Sequence, residues 1–157
     1  CAFTFSQEYP ELGAEFEVVH YTQLLAELLE AGKLSVKSPL DKKVTYHDPC
    51  YLGRHLEVYD APRTLINAVT GDNLVEMPRN RKESLCCGGG GGRLWMETPP
   101  EWRFSDIRVK EACEAGASIL ATACPYCVSM LEDSRKSVNK EDEIEIKDIS
   151  ELVAEGL

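Results

Sequence analysis

The sequence predicts an α/β fold, with strands and helices alternating around a largely parallel sheet. Three observations carry this prediction. Short apolar or β-branched runs, at 16–20, 43–47, 118–122 and 144–146, alternate with stretches of helical periodicity. Pro and Gly punctuate them where helices start and stop: Pro62 and Pro125 at starts, Gly32 and Gly71 at stops. The cysteines fall just after strand-like runs, at the sheet edge where parallel folds bind ligands.

Residues 1–13 are aromatic and acidic and end in a Pro10/Gly13 turn. The run 16–20 reads as a strand. Thr22 then caps a helix in which Leu24, Leu25, Leu28 and Leu29 recur at helical spacing up to Gly32. After a loop at 35–41, strand 43–47 delivers Asp48-Pro49-Cys50, and Pro49 suits a first helical position. Pro62 opens a helix through Val69. A brief strand is expected over 74–77, and another enters Cys86. Residues 93–97 are helical until Pro99 and Pro100 intervene.

The next helix, over 102–116, carries Phe104, Ile107, Val109, Ala112 and Cys113. Strand 118–122, small and apolar, delivers Cys124, and Pro125 opens a helix through Leu131. A charged loop over 136–143 leads to strand 144–146 and a last helix over 149–154. Cys113 recurs with Val109 and Ala112 on its helix, which makes it a core residue.

A chain of 157 residues, 43% apolar and 28% charged, is long and apolar enough for a globular core. Its net charge of −10 argues against nucleic acid or anionic membrane as partners. No apolar run reaches the roughly 18 residues of a membrane span, and no signal-peptide pattern opens the chain. The chain begins at Cys1 rather than Met, so further sequence is expected upstream.

The chemistry centres on Cys86-Cys87 followed by five glycines. Five glycines give up backbone order that other residues would keep, a loss that makes sense where backbone must approach a bulky group held by sulfur. Cys50 lies upstream, and Cys124-Pro125-Tyr126-Cys127 downstream. Adjacent cysteines sit about 3.8 Å apart at Cα, below the usual disulfide range, so ligands in a cytoplasmic protein are favoured over disulfides. Cys50, Cys86, Cys87, Cys124 and Cys127 are therefore read as one iron–sulfur site. Helix N-termini beside them would favour thiolates and an anionic cluster.

Other readings are weaker. Four thiolates would suffice for a structural zinc, leaving the fifth surplus. Cys-Pro-Tyr-Cys is also a thiol–disulfide exchange motif, but the 30 residues after Cys127 are too few to complete a thioredoxin-like fold. The glycines lack the Lys-Ser/Thr of a phosphate loop. Asp48 reads as a helix cap or as an orienter of Cys50, together with His47. Arg54 and His55 read as a solvated face, and His20 and Tyr21 as structural.

An internal repeat matches 16–25 with 144–153, pairing strand with strand and Thr22 with Ser150 as caps. Cys1 then corresponds to Cys127. The expected organisation is the tail of a first cysteine-rich module over 1–40 and a complete second module over 41–157.

His47-Asp48-Pro49-Cys50, Cys86-Cys87-Gly88 and Cys124-Pro125-Tyr126-Cys127 resemble the cysteine-rich CCG module of the heterodisulfide reductase family. That family includes the B and D subunits of heterodisulfide reductase and iron–sulfur subunits of glycolate- and lactate-oxidising systems. Residues 47–55 are closest to the D type. The resemblance implies that the five cysteines hold a [4Fe-4S] cluster, non-cubane in some members, with zinc as the alternative metal. It implies an oxidoreductase subunit of anaerobic metabolism that exchanges electrons with a disulfide or thiol substrate, or with a flavin, iron–sulfur, or membrane quinone or haem partner. A cytoplasmic location follows, at the inner face of the membrane where a partner is anchored there. A zinc-stapled module docking a larger redox complex is the alternative. The chain departs from the family in lacking the remaining first-module ligands, so Cys1 alone cannot hold a second cluster.

Overall fold

A computed structural model describes residues 2–157. Cys1, and the role given it in the repeat, lie outside the described residues.

Three parallel strands form the sheet in the order β1 (Val44–His47), β2 (Ile119–Thr122), β3 (Glu145–Asp148). Val44 pairs with Ile119, and Ile119 with Glu145. β1 and β2 are buried throughout, as expected of strands covered on both faces. Side chains alternate across the sheet. Val44, Tyr46, Ile119 and Ala121 enter one core with Leu65, Ile66, Val69, Ile149 and Leu152. Leu120 and Ile146 enter the other with Val109, Ala112, Leu131, Cys87 and Cys127.

Helices cover both faces. On the first lie α1 (Tyr21–Glu30), α2 (Asp60–Thr70) and α5 (Ile149–Gly156), with α2 touching both others. On the second lie α3 (Phe104–Glu114) and α4 (Pro125–Ser137), packed on each other. α1 buries Ala26, Tyr21, Leu25 and Leu29 in the same core as β1 and α5. Gly71 ends α2 in the left-handed region at φ 60°.

Three expected strands do not form. Residues 16–20 are extended but pair with nothing; Phe16 and Val19 are exposed, so no face is buried to hold a register. Residues 74–77 make a single bridge, Leu74 to Val44, before Pro78 withholds a donor and Met77 turns into the second core. The approach to Cys86 is irregular. Arg54 Nη2 donates to the Ser84 carbonyl at 2.8 Å, so a side chain occupies what a neighbouring strand would have paired.

Helix bounds differ modestly. α3 begins at Phe104, after a 3₁₀ turn over Pro100–Trp102, and α4 continues to Ser137, into the expected loop. Of the strand pair in the expected repeat only Glu145–Asp148 forms, and the caps fall two residues earlier than expected. His20 and Asp148, not Thr22 and Ser150, cap α1 and α5, each in a reciprocal box with Gln23 or Glu151.

Candidate metal centre

The sheet sets the first and last cysteine segments. Cys50 comes three residues after β1 and opens a single π-type turn, Tyr51–His55. Cys124 comes two residues after β2 and is the N-cap of α4, with Pro125 at its first position. Cys86 and Cys87 follow no strand, which corrects the expectation that all cysteine segments end strands. Their loop is held by side chains instead.

Asp48 does most of that holding. Arg63 grips both carboxylate oxygens, Nη1 to Oδ1 at 2.8 Å and Nη2 to Oδ2 at 3.0 Å. The Arg81 backbone N–H donates to Oδ2 at 2.8 Å, and Ser84 Oγ donates to the Asp48 carbonyl at 3.3 Å. One buried residue thus ties the Cys50 loop to the segment leading into Cys86. Asp48 is not the cap of the turn after Cys50, which has no side-chain cap. Arg63 is itself fixed by Glu76, by the Tyr59 carbonyl and by the Tyr46 ring beneath it.

The five sulfurs form one file. Thiol–thiol contacts run from Cys50 to Cys86, Cys86 to Cys87, Cys87 to Cys127 and Cys127 to Cys124. The Cys87 and Cys127 sulfurs are 3.4 Å apart. All six described cysteines are free, and Cys113 stands away from the file, against the second core.

Electrostatics within the file are uneven. Hydrogen bonds from Cys50 and Cys87 pull the Cys86 thiol well down, helped by the Gly88 N–H at 3.3 Å. The Cys124 thiol falls to about 6, first through its bond from Cys127 and then, against burial, through the N–H groups of Cys127 and Tyr126 in the first turn of α4. The bonds that each of Cys50 and Cys127 donates push its own thiol up. The file therefore favours partial thiolate character before any metal arrives.

The glycines permit a close approach. Gly88 has φ +82°, and a Cβ on Gly89 would lie 2.7 Å from Met130 Cγ and 3.8 Å from the Cys87 sulfur. A cavity of about 460 Å³ opens over Cys50, Cys87, Cys124 and Cys127, roofed by Gly89–Gly92 with Tyr51, Trp95 and Tyr126. Among the described residues lining it there is no Lys or Arg. A second hollow of about 720 Å³ lies across the glycine loop, with Cys87 and Gly88 between Trp95, Trp102 and Phe104. His20 lines the first cavity while capping α1; Tyr21 Oη donates to Asp148 Oδ1 at 2.8 Å. Arg54 and His55 are exposed; His55 stacks on Tyr51 and Phe3.

Sequence reading missed two buried arginines, Arg63 and Arg108. Each lies within an ordinary helix, and its partners, Asp48 and His47, come from β1 and the loop beyond it. Only a charged residue on an otherwise apolar helix face could have signalled them.

The donor set suits a thiophilic centre: five sulfurs, backbone N–H groups directed at four of them, and a neighbouring helix N-terminus.

Comparison with known proteins agrees. Residues 44–132 match the family model of the CCG cysteine-rich domain. The probable iron-sulfur-binding oxidoreductase FadF of Bacillus subtilis is 44% identical over 98% of the chain, which spans 22% of that protein. The D-type polypeptide of the dihydromethanophenazine:CoB–CoM heterodisulfide reductase of Methanosarcina barkeri is 44% identical over 93% of the chain and 36% of that polypeptide. The EtfAB:quinone oxidoreductase of Syntrophomonas wolfei is 37% identical over 93% of the chain and 21% of that protein. The chain thus spans between about a fifth and a little over a third of these relatives. With its cysteine motifs inside the matched segment, the chain belongs to the CCG cysteine-rich domain family.

Proposed function

We propose that Cys50, Cys86, Cys87, Cys124 and Cys127 hold one iron–sulfur cluster, and that the chain is the electron-carrying module of a larger oxidoreductase. The observation that carries this is the unbroken file of five thiols joined by four contacts, one more sulfur than a tetrahedral zinc accepts. Such a cluster supplies a one-electron store. The chain's own residues bind and orient it: Asp48 and Arg63 fix the loops of Cys50 and Cys86, and Gly88 offers an N–H to sulfur.

The electron partner is read from the same cavity. Its lining is aromatic and aliphatic, with no lysine or arginine to receive an anionic disulfide. That favours an uncharged redox partner, a quinone ring or a flavin edge, over a charged thiol substrate. Among the described residues no helix is long and apolar enough to cross a membrane.

The test is anaerobic analysis of iron, acid-labile sulfide and zinc on the purified chain. About four irons with matching sulfide are expected. One zinc without sulfide would replace the redox reading with a structural module that docks a larger complex.

A further inference from the structure

His47 and Arg108 are wholly buried beside the sulfur file, and the five thiols do not account for them. His47 ends β1 on the side opposite Tyr46, and one of its ring nitrogens lies within 4.8 Å of the Cys87 and Cys127 sulfurs. By residue type and spacing these three could be a metal trio. The hydrogen bonds speak against it.

Arg108 Nε donates to His47 Nδ1 at 3.3 Å. A guanidinium has donors only, so Nδ1 must present its lone pair. Arg108 is in turn held by Glu111, at 2.6 Å from Nη1, and by the Arg79 carbonyl at 2.8 Å. An imidazole that accepts at Nδ1 is neutral and carries one proton. With Nδ1 occupied as an acceptor, that proton sits on Nε2. Nε2 is buried and has no hydrogen-bond partner among the described residues. A protonated Nε2 offers no in-plane lone pair to a metal; it offers an N–H.

We infer that His47 is not a ligand of the centre but a hydrogen-bond donor to its sulfur, through an Nε2 proton fixed in place by Arg108. This rests on the cluster reading given above. A buried N–H gains little beside neutral thiols and most beside sulfur that becomes more negative when an electron arrives from a flavin- or quinol-class donor. The proton stays on Nε2 throughout. His47 is thus a positioning and tuning residue that raises the reduction potential.

The test uses the cluster-loaded chain. With 15N-labelled histidine, pulsed EPR in the paramagnetic state should show a weak nitrogen coupling, and exchange into D2O should add a weak deuterium coupling. A coupling of iron-bound size, or none, would overturn the inference. His47→Leu should shift the reduction equilibrium about tenfold toward the oxidised form, about 59 mV for one electron, at unchanged iron and sulfide. Should His47→Leu fail to load, Arg108→Met, which frees the ring to turn its proton to Nδ1, should move the potential in the same direction. Unchanged potentials at full iron content would overturn the assignment while leaving the cluster reading standing. Zinc in place of iron in the unaltered chain would defeat the cluster reading itself, and is seen before any variant is made.

Discussion

Arg63 holds both oxygens of Asp48 at 2.8 and 3.0 Å, two residues before Cys50, with both side chains almost wholly buried. Through the Arg81 N–H and Ser84 Oγ, the same aspartate reaches the segment that enters Cys86. A buried ion pair adds little net stability compared with apolar packing, but removing one partner strands the other charge. Arg63→Met should therefore cost about 3–5 kcal/mol in denaturant melts. It should also lower iron occupancy, because the Cys50 and Cys86 loops lose their shared anchor. The exposed Lys42–Glu145 pair is the control: Lys42→Met should change stability by less than about 1 kcal/mol. Full iron occupancy in a destabilised Arg63→Met chain would separate the ion pair from the centre.

The sulfur file gives a prediction about ligands. Cys86 and Cys87 each touch two other sulfurs, whereas Cys113 touches none of the five. Serine at position 86 or 87 should abolish most of the iron and the absorbance of the assembled protein. Cys113→Ala should keep both, with a loss of about 1 kcal/mol or less from a half-buried site. Equal iron loss in all three variants would undo the separation of ligands from core.

The two sheet strands that position the cysteines were legible because Val44–His47 is β-branched and aromatic and Ile119–Thr122 is small and apolar, both short runs buried on both faces. The runs 16–20 and 74–77 have the same composition, but a strand is defined by its partner. Phe16 and Val19 face water, and Pro78 cuts the second run short. The spacing of the cysteines was readable as one site because Cys50 and Cys124 follow strands. Arg63 and Arg108 left one local trace, a charge on the face that its helix buries. The partners that give each its meaning lie 15 and 61 positions away, and pairing at that distance is not written in the helix itself.

Gly89 predicts a measurable steric coupling. A Cβ there would sit 2.7 Å from Met130 Cγ, closer than real Cβ contacts come, but against a flexible side chain. Gly89→Ala should cost about 1–3 kcal/mol and loosen the glycine roof beside Cys87. Met130→Ala in the same chain should recover most of that cost, giving a coupling above about 0.5 kcal/mol in a double-mutant cycle. Additive losses would mean that the roof gives way somewhere other than at Met130.

The paired caps supply the last prediction. Asp148 Oδ1 accepts the Ser150 N–H at 2.9 Å, the Ser150 hydroxyl at 2.6 Å and the Tyr21 hydroxyl at 2.8 Å, so it caps α5 and pins the start of α1 to it. His20 caps α1 with a longer bond, 3.4 Å from the Thr22 N–H. Loss of an ordinary cap costs about 1 kcal/mol, and a lost partner for a half-buried hydroxyl adds about as much. Asp148→Ala should therefore destabilise the chain by about 2 kcal/mol, roughly twice the effect of His20→Ala. Tyr21→Phe, which removes only the shared hydrogen bond, should account for the difference between them. If Tyr21→Phe is silent while Asp148→Ala keeps its full effect, the bond between α1 and α5 adds nothing, and the two caps act as independent copies of one local motif.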